Sequence, residues 1–404
     1  MFTFIDGGVC APLGFKASGL HCGIRAGKMK KDLALIVSDV PASAAAVYTQ
    51  NLVKGAPIYV TKENIANGVA NAVICNSGNA NTCNADGIDK AREMCKITAD
   101  ALGLNASDII VASTGVIGQP LNLEPIKAKM DELVGGLSYE GGSLAAEAIM
   151  TTDTVTKEVS VSVEIDGNVV KIGGIAKGSG MLNPNMATML SFLTTDAEIE
   201  SNLLANMLKD VADISFNRVS IDGDTSTNDM LTIMANGKSG VKILDNTDGY
   251  SFFKTALTEV CVTLAKMLAK DGEGATKLLE CMVSGSPSVE SAAKVADSVI
   301  NSPLVKTAMF GNDANWGRIL CAIGYAGVSL DVKLIDVIIR SAAGEVLVCK
   351  NGAGVTFSEE IALEVLKQDA VTVDIKLNQG DSIATSWGCD FSYDYVKING
   401  DYRT

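Results

Sequence analysis

The run Lys177-Gly-Ser-Gly-Met-Leu-Asn-Pro-Asn-Met-Ala-Thr188 carries its own chemistry. A glycine-rich loop leads through Asn-Pro-Asn to Ala187-Thr188, and an apolar alternating stretch follows. If the Ala187–Thr188 bond breaks, Thr188 gains a free α-amine. Such amines have a pKa of about 7.7–8.0, so much of the group is neutral near neutral pH. It can then act as base for its own hydroxyl, directly or through a water. The hydroxyl could also make the cut, attacking the preceding carbonyl to give an ester that water hydrolyses. The β-methyl restricts χ1 and helps aim the oxygen. The plain alternative is an ordinary strand threonine, like Thr194 or Thr195.

Such chemistry suits a chain with a single histidine, His21. A Ser–His–Asp triad would have to use that residue, which sits in a near-terminal glycine-rich stretch, and a His-rich metal site is excluded. Four further segments stand out. Ser113-Thr114-Gly115-Val-Ile-Gly118 closes a predicted strand, where backbone N–H groups and the Thr114 hydroxyl could form an oxyanion hole; a simple turn and helix start is the alternative. Glu273, between glycines in Asp271-Gly-Glu-Gly, could face a bound ammonium group, or be a solvated helix end with a glycine cap. Gly311-Asn-Asp-Ala-Asn-Trp316-Gly-Arg318 suggests a site or an interface. Asn399-Gly-Asp-Tyr-Arg-Thr404 would ordinarily be a frayed tail. Other motifs fail. Asn236-Gly-Lys-Ser239 has Thr232 where a phosphate loop needs glycine, and Asp222 to Asp229 lacks the glycine and glutamate of a calcium loop. No dinucleotide fingerprint follows the first strands.

The elements that must position these residues alternate. Leu33–Val37, Val69–Cys75 and Asp108–Ala112 predict strands, and Ile88–Leu102 has helical spacing. Val159, Val161 and Val163 alternate with polar residues, and Asp166-Gly-Asn turns the chain back through Val169–Ile175 as a hairpin. Phe253, Leu257, Val260, Leu264 and Leu268 form one stripe of a helix over Ser251–Lys270. Beyond Ser284-Gly-Ser-Pro-Ser288, a helix and a β-rich tail from Val328 to Lys376, including Leu330–Leu334, predict a second, smaller unit. The expected division is 1–283 and 284–404.

The composition sets the class. The 404 residues are 47% apolar and carry a net charge of −14. A large core is affordable, and nucleic acid or an anionic membrane is disfavoured as partner. Ten cysteines without a CxxC pair argue against a zinc finger and for buried thiols in a reducing compartment. No basic leader and no run of 18 apolar residues is visible, so a cytoplasmic protein is expected.

Taken together, eight segments in order are similar to the glutamate N-acetyltransferase (ornithine acetyltransferase) family of arginine biosynthesis. They are Cys75-Asn-Ser-Gly-Asn-Ala-Asn-Thr82, Ser113–Gly118, Thr151-Thr-Asp-Thr154, Lys177-Gly-Ser-Gly-Met181, Ala187-Thr-Met-Leu190, Ser220–Asp229, Gly311–Arg318 and Asn399–Thr404. No motif position departs from the family pattern.

The resemblance implies an αββα sandwich carrying an N-terminal-nucleophile threonine, plus a smaller C-terminal α/β domain. It implies a precursor that cleaves itself between Ala187 and Thr188 into α (1–187) and β (188–404) chains, assembled as an α2β2 heterotetramer. Thr188 would be the nucleophile, carrying acetyl as an ester, and Thr114 with Gly115 the oxyanion hole. Thr151, Lys177, Thr188, Glu273, Asn399 and Thr404 would bind substrate. The implied reaction moves acetyl from N-acetylornithine to glutamate by a ping-pong route, with no cofactor. Acetyl-CoA would be a co-substrate only in bifunctional members. Two other readings stay open: a self-cleaving aminopeptidase or amidase of related fold, and an uncleaved, non-catalytic homologue.

Overall fold

The computed structural model describes residues 2–25, 29–183 and 189–401. Thr188, Ala187 and Thr404 therefore lie outside the described residues. Within those residues the strands run β1 (Phe2–Ile5), β2 (Phe15–Leu20), β3 (Leu33–Tyr48), β4 (Val69–Asn76), β5 (Ile109–Ser113), β6 (Lys157–Ile165), β7 (Asn168–Lys177) and β8 (Leu190–Thr195). They continue with β9 (Val219–Ser220), β10 (Met230–Ala235), β11 (Leu278–Ser286), β12 (Asp336–Ser341), β13 (Gly344–Lys350), β14 (Ala353–Gly354), β15 (Ala370–Lys376) and β16 (Ser382–Cys389).

The first nine-stranded sheet has the order β1-β6-β7-β8-β10-β3-β4-β5, with β2 also paired to β3. Its long β3 belongs to both halves. Leu33 to Val37 pairs with β4, the register then shifts, and Ser43 to Tyr48 pairs with β10. Such an irregularity lets a strand bend, and the sheet folds over itself. Phe15, Ile36, Val73 and Ile110 of one half pack with Ile175, Leu190, Phe192 and Met234 of the other. Outside one half, Leu35, Ile74 and Val111 meet Met94, Ile126 and Leu133 of helices Gly87–Leu102 and Glu124–Gly135. Outside the other, Val161, Ile172, Leu193 and Leu231 meet Leu208, Phe253, Val260 and Leu264 of helices Ser201–Asp213 and Asp248–Lys270. The result is the expected α/β sandwich, with both β layers drawn from one continuous sheet.

The helix with the apolar stripe begins at Asp248, three residues before the expected start, because Thr247 accepts from the Tyr250 N–H as N-cap. Each fully buried side chain of the stripe contributes about 1.5–3 kcal/mol of apolar burial.

The second sheet has the order β14-β13-β12-β15-β11-β16-β9 and its own core, with helices Val289–Asn301 and Glu359–Leu366 contributing Val295, Val299, Val365 and Leu366. Ser284, the expected start of this unit, falls inside β11, and β9 joins the sheet from well upstream. Leu330–Leu334, read as β-rich, contains a 3-10 turn at Val332–Leu334, because the Asp331 carboxylate accepts from Lys333 N–H at 3.0 Å.

One feature of this topology positions the site. β4 and β5 run parallel and end together at Asn76 and Ser113. β7 ends at Lys177 opposite Leu190, where β8 begins, and β10 begins beside it at Met230. Five strand ends converge on one rim.

Candidate active site

At that rim lies a cleft of about 130 Å³. Thr114, Gly115, Thr151, Lys177, Glu273 and Asn399 all line it, together with Thr152, Gly180, Thr227 and Asn228. Every expected site residue within the described range is thus in one place, although they span most of the chain.

Thr114 and Gly115 follow β5. Thr114 N–H donates to Asn76 O at 2.9 Å, and the Asn76 side-chain oxygen accepts from the N–H groups of Gly78 and Asn79. Gly115 has φ of 127°, which favours glycine. A Cβ there would sit 2.6 Å from the Gly78 carbonyl carbon. The loop 76–82 and the turn at 114–116 are therefore in direct backbone contact, and Ala80 N–H donates to Val116 O at 2.9 Å. Asn228 ties this region to the third wall. Its side-chain nitrogen donates to Ala80 O at 2.6 Å and Ser113 O at 2.9 Å, and its oxygen accepts from Thr82 and Thr227, each at 2.6 Å.

Lys177 ends β7 with only 5% of its surface exposed. Its Nζ donates to Thr114 Oγ1 at 3.4 Å, a weak contact that leaves donors for a ligand. Burial lowers the Lys177 pKa, opposed chiefly by the Asp153 charge. Asp153 is itself buried and accepts from Lys157 Nζ (2.7 Å), Gly178 N–H (2.7 Å) and Thr151 N–H (2.9 Å). Burial pushes the Asp153 carboxyl up, but the Lys177 and Lys157 charges with these hydrogen bonds outweigh it and hold the pKa at about 2. Lys157, fully buried, also bridges to Asp271 at 2.6 Å, and Asp271 accepts from Thr154 N–H at 3.0 Å. This chain of charges joins three cleft segments: 151–154, 177–180 and 271–273.

Glu273 is half-buried, and its N–H donates to Ser179 O at 2.7 Å. A Cβ at Gly180 would lie 2.5 Å from its carboxylate, so the glycine leaves room for this close approach. Asn399 stands on the helix Tyr393–Asp401, so this part of the tail is ordered, and donates to Glu273 Oε2 at 2.8 Å. A carboxylate oriented in this way at a cleft wall can receive an ammonium group.

Other expectations resolve differently. His21 donates to Lys30 O at 3.0 Å and does not line the cleft. The 311–318 motif also lies outside it and braces it: Lys277 Nζ donates to Asn312 Oδ1 at 2.8 Å, just beyond the Glu273 loop, and Asn315 caps the helix that starts at Trp316. The ten cysteines are all unpaired. Among the described residues no His, Cys, Asp and Glu cluster could hold a metal, and no helix is long and apolar enough to cross a membrane. Residue-by-residue reading assigned no role to Asp153, Lys157, Asp271 or Asn228. Asp153 and Asn228 lie in the polar runs Thr151–Thr154 and Asp222–Asp229, and Asp271 opens the Asp-Gly-Glu-Gly segment, whereas Lys157 carried no signal.

Comparison with known proteins agrees with this geometry. The ArgJ family model matches residues 16–404. The Arginine biosynthesis bifunctional protein ArgJ of Caldanaerobacter subterraneus subsp. tengcongensis is 48% identical over 402 residues, 99% of each chain. That of Geobacillus stearothermophilus is 47% identical over 403 residues, 99% of this chain and 97% of the relative. A crystal structure of Arginine biosynthesis bifunctional protein argJ from Bacillus halodurans is 43% identical with a TM-score of 0.51, covering 53% of this chain and 100% of that one. The match runs through every segment that lines the cleft, from the loop at Ala80 to the helix bearing Asn399: the chain belongs to the ArgJ family.

Proposed function

We propose that the protein transfers acetyl from N-acetylornithine to glutamate through an acetyl ester on Thr188, and that it also acetylates glutamate from acetyl-CoA, as the bifunctional names of its relatives suggest. The observation that carries this reading is the convergence of Thr114, Gly115, Thr151, Lys177, Glu273 and Asn399 on one cleft at the rim where β8 begins. In the first half-reaction the amide carbonyl of N-acetylornithine faces Thr114 and Gly115. Thr188 Oγ bonds to the acetyl carbon, the C–N bond breaks, and ornithine leaves with the proton that the α-amine took from the hydroxyl. In the second, the glutamate amine attacks the ester and restores the hydroxyl. Lys177 faces a substrate carboxylate and Glu273 the ornithine ammonium, with Asn399 orienting the Glu273 carboxylate. Thr151, and Thr404 at the chain end, complete the substrate contacts.

Cleavage before Thr188 is part of the proposal, as is assembly of the 1–187 and 188–404 chains into an α2β2 heterotetramer. The Bacillus halodurans chain supports the cut: matched along its whole length, it covers 53% of this one, about the share that residues 188–404 occupy. A division into a sandwich domain and a smaller C-terminal domain near Ser284 follows the separate cores. The ten free thiols suit a cytoplasmic location.

Intact mass of the purified protein, with and without N-acetylornithine, tests the reading. Two fragments divided before Thr188 are expected, with the larger gaining one acetyl group on incubation. An uncut chain, or one never acetylated, would overturn it. If ornithine release is no faster with glutamate than without, hydrolysis replaces transfer.

A further inference from the structure

Among the buried ionisable groups that this mechanism leaves unused, Asp229 stands beside the cleft. Asp229 directly precedes β10 and is 1% exposed. Both its carboxylate oxygens lack a hydrogen-bond partner among the described residues. Its backbone carbonyl is committed to Thr49 N–H at 3.0 Å, so the segment is fixed while the side chain is not satisfied. The next residue pins the location: Met230 N–H donates to Met189 O at 3.0 Å. Asp229 lines a small recess with Thr114, Lys177, Met189 and Asn228. An acid without a hydrogen-bond partner among the described residues is therefore buried beside Met189, the first described residue after the scissile position. Native proteins rarely leave a buried polar group unpaired without a functional reason.

We propose that Asp229 is the acid that handles the proton when the chain cuts itself before Thr188. The proposal rests on the Thr188 reading above. Burial pushes the Asp229 carboxyl well above the usual range. The Met189 N–H just before β8 and the side chains of Thr49 after β3 and Ser226 before β10, none of them in full hydrogen-bond geometry, and the charge of Lys177 at the end of β7 pull it back only in part. The neutral, proton-bearing form is the one that cleavage requires. Thr188 Oγ bonds to the Ala187 carbonyl carbon and the C–N bond breaks. The departing nitrogen takes the Asp229 proton, and the carboxylate left behind takes the hydroxyl proton of Thr188. Asp229 ends as it began. Water then hydrolyses the ester, leaving a carboxyl group on Ala187 and a free hydroxyl on Thr188.

The test is the rate of cleavage of freshly translated full chain, followed by intact mass after a pH jump to values between 6 and 9. The Asp229→Asn chain keeps the shape and loses the proton, and should cleave about 10²–10⁴-fold more slowly. Asp229→Glu should recover at least tenfold over it. Any alkaline fall in wild-type cleavage, as the acid loses its proton, should be absent from residual Asp229→Asn cleavage. Cleavage of Asp229→Asn at the wild-type rate overturns the proposal. If that variant fails to fold, Asp229→Ser decides, and cleavage of that chain at the wild-type rate overturns the proposal. Thr188→Ala separates the two readings: cleavage of that variant refutes the nucleophile itself, whatever Asp229 does.

Discussion

Replacing Gly115 with alanine perturbs the proposed oxyanion hole without touching a charge or a hydroxyl. The added Cβ would lie 2.6 Å from the Gly78 carbonyl carbon and 2.8 Å from Asn79 N. Both are backbone atoms, so no side chain can rotate out of the way. Ordinary contact begins near 3.4 Å, so the 114–116 turn and the 76–82 loop must separate by about 0.8 Å. The φ of 127° adds strain of about 1–3 kcal/mol for any residue with a Cβ. A misplacement of about 1 Å at a reacting centre costs on the order of 10²-fold in rate, and loss of one oxyanion donor about 10²–10³-fold. Gly115→Ala should therefore lower kcat for acetyl transfer by about 10²-fold. KM for N-acetylornithine should change little, because the proposed mode of binding leaves the two ends of the substrate with Lys177 and Glu273. Steady-state ornithine release from cleaved enzyme measures both constants, with thermal unfolding as a control for gross damage. A kcat within fivefold of wild type in a folded, cleaved variant would refute the oxyanion role of this turn.

Three further outcomes follow from the site. Lys157→Met leaves Asp153 and Asp271 buried without their shared cation, so urea unfolding should show a loss of about 3–5 kcal/mol; a loss under 1 kcal/mol would deny the ion chain its structural role. Asp153 titrates at about 2 in the folded chain against an ordinary 3.8. A depressed acid stabilises above its unfolded pKa, so its contribution, about 2 kcal/mol, is full above pH 4 and lost as pH falls toward 2. Asp153→Asn should flatten that part of the stability curve, and an unchanged acid limb would count against it. Glu273→Gln removes the charge expected to meet the ornithine ammonium, so KM for N-acetylornithine should rise about 10–100-fold, with a smaller change in kcat; an unchanged KM would move the ammonium elsewhere.

Much of the site was legible because its chemistry is local. Thr114 and Gly115 end a β-rich run, and a glycine at a strand end gives close backbone approach. Lys177 closes the return strand of a hairpin whose turn, Asp166-Gly167, is written in the sequence. Glu273 lies between glycines just past the helix with the clearest apolar stripe, and Gly180 and Gly274 show why. One takes the carboxylate at close range, and the other lies against the backbone of the helix that carries Asn399. The 311–318 motif reads as a site or an interface; it lies outside the cleft, and Asn312 and Asn315 hydrogen-bond Lys277 and a helix N-terminus.

The sequence by itself determined the central strands at 33–37, 69–75 and 108–112, the hairpin at 159–175, two of the sandwich helices, the one-histidine constraint and the candidate residues, because propensity, periodicity and turn chemistry act over a few neighbouring residues. Only the tertiary structure decided that both β layers are one sheet folded at β3, since that depends on pairing partners far apart in the chain. It also decided that β9 crosses to the second sheet and that Ser284 lies within β11. The burial and placement of Asp153, Lys157, Asp271, Asn228 and Asp229 belong to the same level. Burial is what gives a charge or an amide its leverage, and burial is a property of the packed rim where five strand ends meet.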